Sequence, residues 1–260
     1  MCRPTHYTIA YEINPWMRLT RQTAHDAARR QWQQLYRLLT HRLRARVRLI
    51  RPVRGLPDLV FTANAGLVAD GVLIRSNFRF PERQGEEAVV EGYFQRHGYQ
   101  IVRLPRRVNF EGEGDAVWIG STLLLGFRFR SDATVHERLG RLLRCEVLPV
   151  ELRDQRFYHL DTCFCPLGPT SAVWYPRAFD RYGCRVIASR VPDTIAVSEA
   201  DALRFCCNSL VIGRDVVMPA GVSNSLTRRL GRRGWVVHEV ELSEFLKAGG
   251  AAKCLVLRLT

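Results

Sequence analysis

The feature that most constrains this chain is a recurring order of strand, tight turn, strand, helix, strand. Residues 64–75 read as two strands joined at Asp70-Gly71, a dipeptide suited to a two-residue hairpin. Val89, Val90, Tyr93 and Phe94 then fall at helical spacing within residues 85–97. Gly98 can close that helix, and residues 99–104 read as a third strand. The order returns in residues 116–126. There Ser131 or Asp132 can cap a helix with Val135, Leu139, Leu142 and Leu143 on one face, before a strand over 146–150. Residues 209–218, a helix over 223–230 and a strand over 235–240 make another clear copy. A weaker one runs through 172–175, 178–182 and a strand-like 184–188. The chain ends can complete a fifth, with strands at 254–259 and 6–11, an amphipathic helix within 23–43 bearing Trp32, Leu35, Leu39 and Leu43, and a closing strand at 47–50.

Units repeated this way, with no linker-like or low-complexity stretch between them, predict one closed, propeller-like α/β domain over residues 1–260. A generic α/β sandwich of similar units would satisfy the same spacing. A radial arrangement has a chemical consequence, because equivalent strand ends and turns converge on its axis. Asp58, Asn64, Glu111, His159 and Cys254 would then meet although they are far apart in sequence.

That convergence would assemble a thiol, an imidazole and carboxylates, the parts needed to attack a cationic carbon. Cys254 lies in Gly249-Gly250-Ala251-Ala252-Lys253-Cys254-Leu255-Val256. A cysteine opening an apolar run reads on its own as a core thiol. The two glycines allow a tight backbone path that could present its side chain. Glu111 belongs to Asn109-Phe110-Glu111-Gly112-Glu113-Gly114-Asp115, and His159 and Asp161 to Phe157-Tyr158-His159-Leu160-Asp161. Glu113 competes with Glu111 for any ligand role, Asp115 reads as structural, and Cys163 and Cys165 read as core.

The formal charge is +14, which raises the question of nucleic acid. Lysine occurs only at Lys247 and Lys253, and the arginines are dispersed. The densest run, residues 42–48, alternates Arg with Leu, Ala and Val, with no interleaved aromatic platform. The basicity therefore reads as a bias towards Arg, and no specific nucleic-acid partner is expected. No apolar stretch is long enough to span a bilayer, and no apolar core follows the basic start as in a secretory signal. The eight cysteines lack C-x-x-C spacing, so neither a disulfide scaffold nor a zinc site is expected. A cytoplasmic protein with reduced thiols, no cofactor and no metal is the resulting expectation, with a homo-oligomer possible.

Six stretches taken in order resemble one known group. They are Pro57-Asp58-Leu59-Val60-Phe61-Thr62-Ala63-Asn64, Phe78 to Glu86 around Arg83, Phe110-Glu111-Gly112-Glu113-Gly114-Asp115, Gly126 to Arg130, Phe157 to Cys163, and the Cys254 segment. Together they resemble the guanidino-group-modifying superfamily, the penteins. This includes arginine deiminases, dimethylarginine dimethylaminohydrolases, amidinotransferases and arginine dihydrolases. The resemblance implies a five-bladed pseudo-fivefold α/β propeller of strand-strand-helix-strand units. It implies Cys254 as nucleophile towards the guanidinium carbon and His159 as general acid and then base. Glu111 and Asp161 would grip the guanidinium and Asp58 would help hold the substrate. Arg83 and Arg130 would receive its α-carboxylate, and Asn14 would contact it at the pocket mouth. Deiminases and dimethylarginine hydrolases typically carry an acid where this chain has Asn64, so the resemblance leans to the dihydrolase branch. Its order of expectation is L-arginine to ornithine, ammonia and carbon dioxide, then citrulline formation, then dimethylarginine hydrolysis. A non-catalytic RNA-binding protein of the same fold is the alternative from another class, and the retained Cys, His and acids speak against it.

Overall fold

In a computed structural model, which describes residues 1–259, twelve strands form four sheets of three. The first sheet holds β1 (Gly66–Ala69), β2 (Val72–Arg75) and β3 (Gln100–Arg103). The second holds β4 (Ala116–Ile119), β5 (Thr122–Phe127) and β6 (Glu146–Glu151). The third holds β7 (Phe164–Pro166), β8 (Ser171–Trp174) and β9 (Asp193–Ala196). The fourth holds β10 (Leu210–Ile212), β11 (Asp215–Pro219) and β12 (Val236–Val240). In each sheet the first pair is antiparallel and the second parallel, with registers such as Leu67↔Ile74 and Leu123↔Val147. A parallel neighbour requires a crossover, which the helices supply.

Helix α1 is His25–Arg37, and the crossover helices of the first three sheets are α2 (Pro81–Arg96), α3 (Val135–Leu143) and α4 (Arg181–Arg190). A short α5 (Glu199–Leu203) precedes α6 (Asn224–Gly231), which crosses the fourth sheet. Leu67, Leu73, Leu123, Leu124, Leu125 and Val216 are fully buried, as expected of strands covered on both faces. Helix α3 buries Val135 and Leu139 against β6, as its 3.6-residue spacing requires. Truncating Leu139 to Ala would cost about 2–5 kcal/mol through the cavity left behind.

The sequence reading needs correction in three places. The strand expected at 184–188 is part of α4. Asp180 caps it by accepting from the Gly183 amide, and β9 closes the sheet instead. Its Val186 and Ile187 satisfy β propensity, but the local cap and the burial of Ile187 decide for helix. Neither Ser131 nor Asp132 caps α3 with its side chain. Ser131 is drawn to Asp115 and the Glu111 amide, and Asp132 to Arg79 and Asn109.

The largest difference is in the fifth unit. Its helix is present as α1, but no strand forms at 6–11 or 254–259 among the described residues. The Cys254 and Ala251 amides donate to the Asn208 side chain, and the Cys254 carbonyl accepts from the Ala63 amide. Backbone groups committed in this way cannot join a ladder. Residues 47–50 meet the chain start rather than 6–11. Cys2 bridges Ile50 in parallel, and the Ile50 amide donates to the Met1 carbonyl. The alternating arginines before that bridge face solvent while Leu43, Ala45 and Val47 pack on the core.

Short 3-10 turns lead into the first strands and carry the site. They are Thr62–Ala65 before β1, Gly112–Gly114 before β4 and Leu160–Thr162 before β7. Gly112 has φ +59°, and a Cβ there would lie 2.5 Å from the Gly66 carbonyl oxygen. Only glycine permits this approach, which brings the first two turns into contact.

Candidate active site

Cys254, His159, Glu111, Asp161, Asn64, Asp58, Arg83 and Arg130 are all at most 3% exposed. Side chains of these types are rarely buried without partners, so their contacts define the site.

Around the sulfur, Cys254 Sγ lies 3.6 Å from Asp161 Oδ2 and 3.1 Å from Asn208 Nδ2. Burial, reinforced by the Asp161 carboxylate, pushes the Cys254 thiol well above its usual range. Burial also lifts Asp161 to about 7, opposed by Lys253 and by its contact with Cys254. Two adjacent acids in a dry site resist double ionisation, so the pair is primed for a cation that would release protons from it.

Around the imidazole, His159 Nε2 lies 2.7 Å from Glu111 Oε2, which also accepts from Arg130 Nη1 at 3.0 Å. Burial opposes ionisation of Glu111, but Arg130 and His159 outweigh it and hold the carboxyl below the usual carboxylate range. Burial lowers His159 to about 4, and Arg130 and Arg83 push the same way against Glu111. The ring is therefore neutral at pH 7. Its tautomer follows from a chain of obligatory donors. Arg83 Nη1 can only donate, so the Asn64 oxygen faces it at 2.9 Å. Asn64 Nδ2 then points at His159 Nδ1, 3.5 Å away. Nδ1 keeps its lone pair, and the ring proton sits on Nε2, donated to Glu111. Gly114 makes room for this relay, since a Cβ there would lie 2.4 Å from Asn64 Nδ2 and 3.2 Å from the ring.

The remaining expected residues have clear places. Asp58 is buried with Oδ1 unpartnered, and its Oδ2 is 4.0 Å from Arg83 Nε. Burial raises Asp58 above the usual carboxylate range, with Arg83 opposing. Arg83 donates to both oxygens of Glu86 at 2.8 Å and to the Asp58 carbonyl, and stacks over Phe78. Arg130 lies between the rings of Phe80 and Tyr158 and donates to the Ile13 carbonyl. It lines a cleft of about 360 Å³ with Ile13, Asn14, Phe80 and Tyr158. Asn14 donates to the Ala248 carbonyl and accepts from the Trp16 and Met17 amides, so it shapes the wall of that cleft.

Glu113 points away from the imidazole, to Lys253 Nζ at 2.8 Å and the Arg258 amide. Glu111, not Glu113, is the acid on His159. Asp115 accepts from Ser131 and the Leu160 amide and braces the two acidic segments. Cys163 and Cys165 are buried in the apolar core.

Sequence reasoning missed Asn208 and Lys253. Asn208 sits two residues before β10, as Asn64 sits two before β1, while Glu113 and Asp161 sit three before β4 and β7. A polar residue two or three positions before the first strand of each unit was the available signal.

Comparison with known proteins identifies the family. Residues 8–260 match the family profile described as N,N dimethylarginine dimethylhydrolase, eukaryotic. The chain is 47% identical over its whole length to the bifunctional arginine dihydrolase/ornithine cyclodeaminase AgrE of Nostoc sp., and 44% identical to ArgZ of Synechocystis sp., which bears the same description. It spans 37% of the length of each of these bifunctional relatives. It is 38% identical to the N(G),N(G)-dimethylarginine dimethylaminohydrolase of Mycobacterium tuberculosis, covering all of this chain and 84% of that protein. The crystal structure of the product-bound N-terminal domain of ArgZ, an arginine dihydrolase from the ornithine-ammonia cycle in Cyanobacteria, superposes with a TM-score of 0.95 at 44% identity. That match covers 100% of this chain and 96% of that one. An adduct of dimethylarginine dimethylaminohydrolase shares the α/β fold at TM-score 0.77 and 22% identity, over 92% of this chain and 93% of the other. The chain thus belongs to the dimethylarginine dimethylaminohydrolase family of guanidino-group hydrolases.

Proposed function

We propose that this chain hydrolyses the guanidino group of L-arginine through Cys254 to ornithine, ammonia and carbon dioxide. Two observations carry this reading: the Cys254–Asp161 contact at 3.6 Å, and a neutral His159 held by Asn64 and Glu111. A guanidinium laid against Asp161 and Glu111 gives each carboxylate an N–H donor and supplies the charge that favours a thiolate. Asp58, whose buried carboxyl has the Tyr11 hydroxyl as a neighbour and no close hydrogen bond on Oδ1, suits the substrate ammonium. Arg130 lines the cleft and Arg83 does not, so Arg130 is the better placed of the two for the substrate carboxylate.

The thiol proton passes first to Asp161, the carboxyl it contacts at 3.6 Å, as sulfur bonds to the guanidinium carbon. His159 delivers a proton to the departing ammonia and recovers one from Asp161. Water, deprotonated by His159, releases sulfur and leaves a ureido group. A second attack expels the ornithine amine, and a second water yields carbon dioxide and ammonia. Arginine and two waters thus become ornithine, carbon dioxide and two ammonia molecules. A neutral Asn64 in place of an acid leaves the ureido intermediate free to reorient between attacks.

We further read residues 1–260 as one catalytic domain whose chain ends form a fifth, irregular blade closing a propeller. Its presence in the bifunctional relatives as little more than a third of their length supports a self-contained module. The deciding experiment incubates the protein with L-arginine labelled at the guanidino carbon. Labelled carbon dioxide with ornithine supports the reading, whereas citrulline as the end product overturns it. Dimethylarginine run in parallel tests the reaction named in the family description.

A further inference from the structure

We propose that Asn208 is a catalytic residue of this hydrolase, the fixed N–H donor that holds the sulfur of Cys254 as the attacking anion and aims it. The inference rests on the reading of Cys254 as nucleophile. Asn208 is fully buried and lies just ahead of β10. Its carboxamide makes four hydrogen bonds, and all four are fixed by chemistry.

The Ala251 amide approaches one end at 2.8 Å and the Cys254 amide approaches the same end at 3.1 Å. Backbone N–H groups only donate, so that end must be the oxygen. The other end must be the nitrogen. It has two acceptors, the Asp161 carbonyl at 3.2 Å and Cys254 Sγ at 3.1 Å. Flipping the amide would oppose donor to donor twice and leave the Asp161 carbonyl facing an oxygen, which a buried site does not tolerate. The side chain is thus locked with an N–H on the sulfur.

That lock has a directional consequence. A thiolate accepts hydrogen bonds strongly and a thiol only weakly, so a donor that cannot turn away favours the anion. The other groups facing the sulfur are Asp161, Tyr158 and Lys253, with Lys253 tied to Glu113. Asp161 opposes the anion and Lys253 favours it from the same turn as Cys254. The Asn208 side-chain amide and the Ala251 backbone amide are the neutral groups that favour the anion, and Asn208 also holds the Ala251 amide in place. The same amide grips the Ala251 to Cys254 turn, so it fixes the sulfur's position as well as its charge.

The Asn208→Asp variant separates these roles. It keeps an oxygen for the two backbone amides and replaces the donor on the sulfur with an acceptor. The pH dependence of iodoacetamide labelling at Cys254 is read by peptide-resolved mass spectrometry, and turnover of L-arginine is read separately. The expected result is a folded variant whose labelling midpoint rises by more than about one pH unit. Its kcat falls roughly 10²–10³-fold, the range seen when one transition-state donor is removed, while KM changes little. An unchanged labelling profile with unchanged kcat overturns the proposal.

If the variant does not fold, the wild-type protein decides. The Asn208 side-chain amide resonance, assigned through its own backbone, should move with the labelling midpoint of Cys254. A resonance that stays still through that titration overturns the proposal. Lack of arginine turnover by the wild type would refute the proposed function, while the labelling and resonance results would still judge the Asn208 contact.

Discussion

Glu111 Oε2 accepts from His159 at 2.7 Å and from Arg130 at 3.0 Å, so one carboxylate oxygen orients the imidazole and neutralises a buried guanidinium at once. Glu111→Gln removes the negative charge from both contacts. Arg130, 2% exposed, would lose its charge partner, which costs about 3–5 kcal/mol when one member of a buried pair is removed. The amide could also donate to Nε2 and reverse the tautomer. We expect urea unfolding to register the stability loss and kcat to fall by roughly 10²–10⁴-fold. A variant of native stability and activity would refute the shared-oxygen geometry.

Cys254 is held by its own amide and its sulfur, and the pocket acids do not depend on it for their other contacts. Cys254→Ala should therefore fold and still bind L-arginine by calorimetry, with a Kd within about tenfold of the wild type's KM. Turnover should fall at least about 10³-fold, because no other residue supplies the covalent route. Ammonia release at a tenth of the wild-type rate would exclude Cys254 as nucleophile.

Much of this was legible in the sequence, and the reason is periodicity. Asp70-Gly71 and the Val90/Phe94 face fix a hairpin and a helix locally, so the units could be read without tertiary information. The fifth unit could not. Cys254 to Leu257 has strand composition, but a side chain 46 residues away, Asn208, captures its backbone. The pairing of Cys254 with Asp161 and of His159 with Glu111 was legible only as convergence on an axis. Glu111 and Glu113 could not be separated by spacing. One turns inward to His159 and the other outward to Lys253, and that depends on the Gly112 turn. Arg83 was legible as a site residue but not as the anchor of Asn64, because that role depends on Glu86 pinning the guanidinium so that Nη1 faces the Asn64 oxygen.

Gly114 is a local test of the relay. A Cβ would sit 2.4 Å from Asn64 Nδ2, closer than atoms can pack, and 3.2 Å from the imidazole. Gly114→Ala must displace Asn64 or His159, at about 1–3 kcal/mol for overpacking. We expect kcat to fall more than KM rises, since the displaced groups serve the chemistry. Full activity together with an unchanged melting temperature would show that the pocket yields at no cost.

Asp161 and His159 shift stability in opposite directions. Burial raises Asp161 from 3.8 to about 7, so its contribution is complete below pH 4 and is lost as pH rises through 7. His159 is lowered from 6.5 to about 4, so its contribution is present above pH 6.5 and is lost as pH falls through 4. Asp161→Asn removes only the first. The stability of the variant relative to wild type should climb with pH between these limits, at up to about 1.4 kcal/mol per pH unit. The acid limb of kcat/KM near pH 7 should disappear along with most of the activity. A stability difference independent of pH, measured by urea unfolding across that range, would mean Asp161 is already ionised in the folded protein.

We predict that Asn64 sets the choice of product. Its oxygen is committed to Arg83 and its nitrogen faces His159 Nδ1, so the residue touches the base without charging it. Asn64→Asp keeps the acceptor for Arg83 and sets a carboxylate against the imidazole. That charge raises the His159 pKa and favours a proton on Nδ1. A protonated ring supports loss of the first ammonia but is slower to activate water and to restart on the ureido intermediate. It also adds a second acid to grip the planar group in one orientation. The variant should therefore release citrulline, with ornithine reduced at least about tenfold relative to citrulline and the first ammonia release slowed less. Chromatography of the products over time checks this. If the variant still carries arginine fully to ornithine at the wild-type ratio, Asn64 does not set the second hydrolysis, and the neutral side chain is there only to hold Arg83.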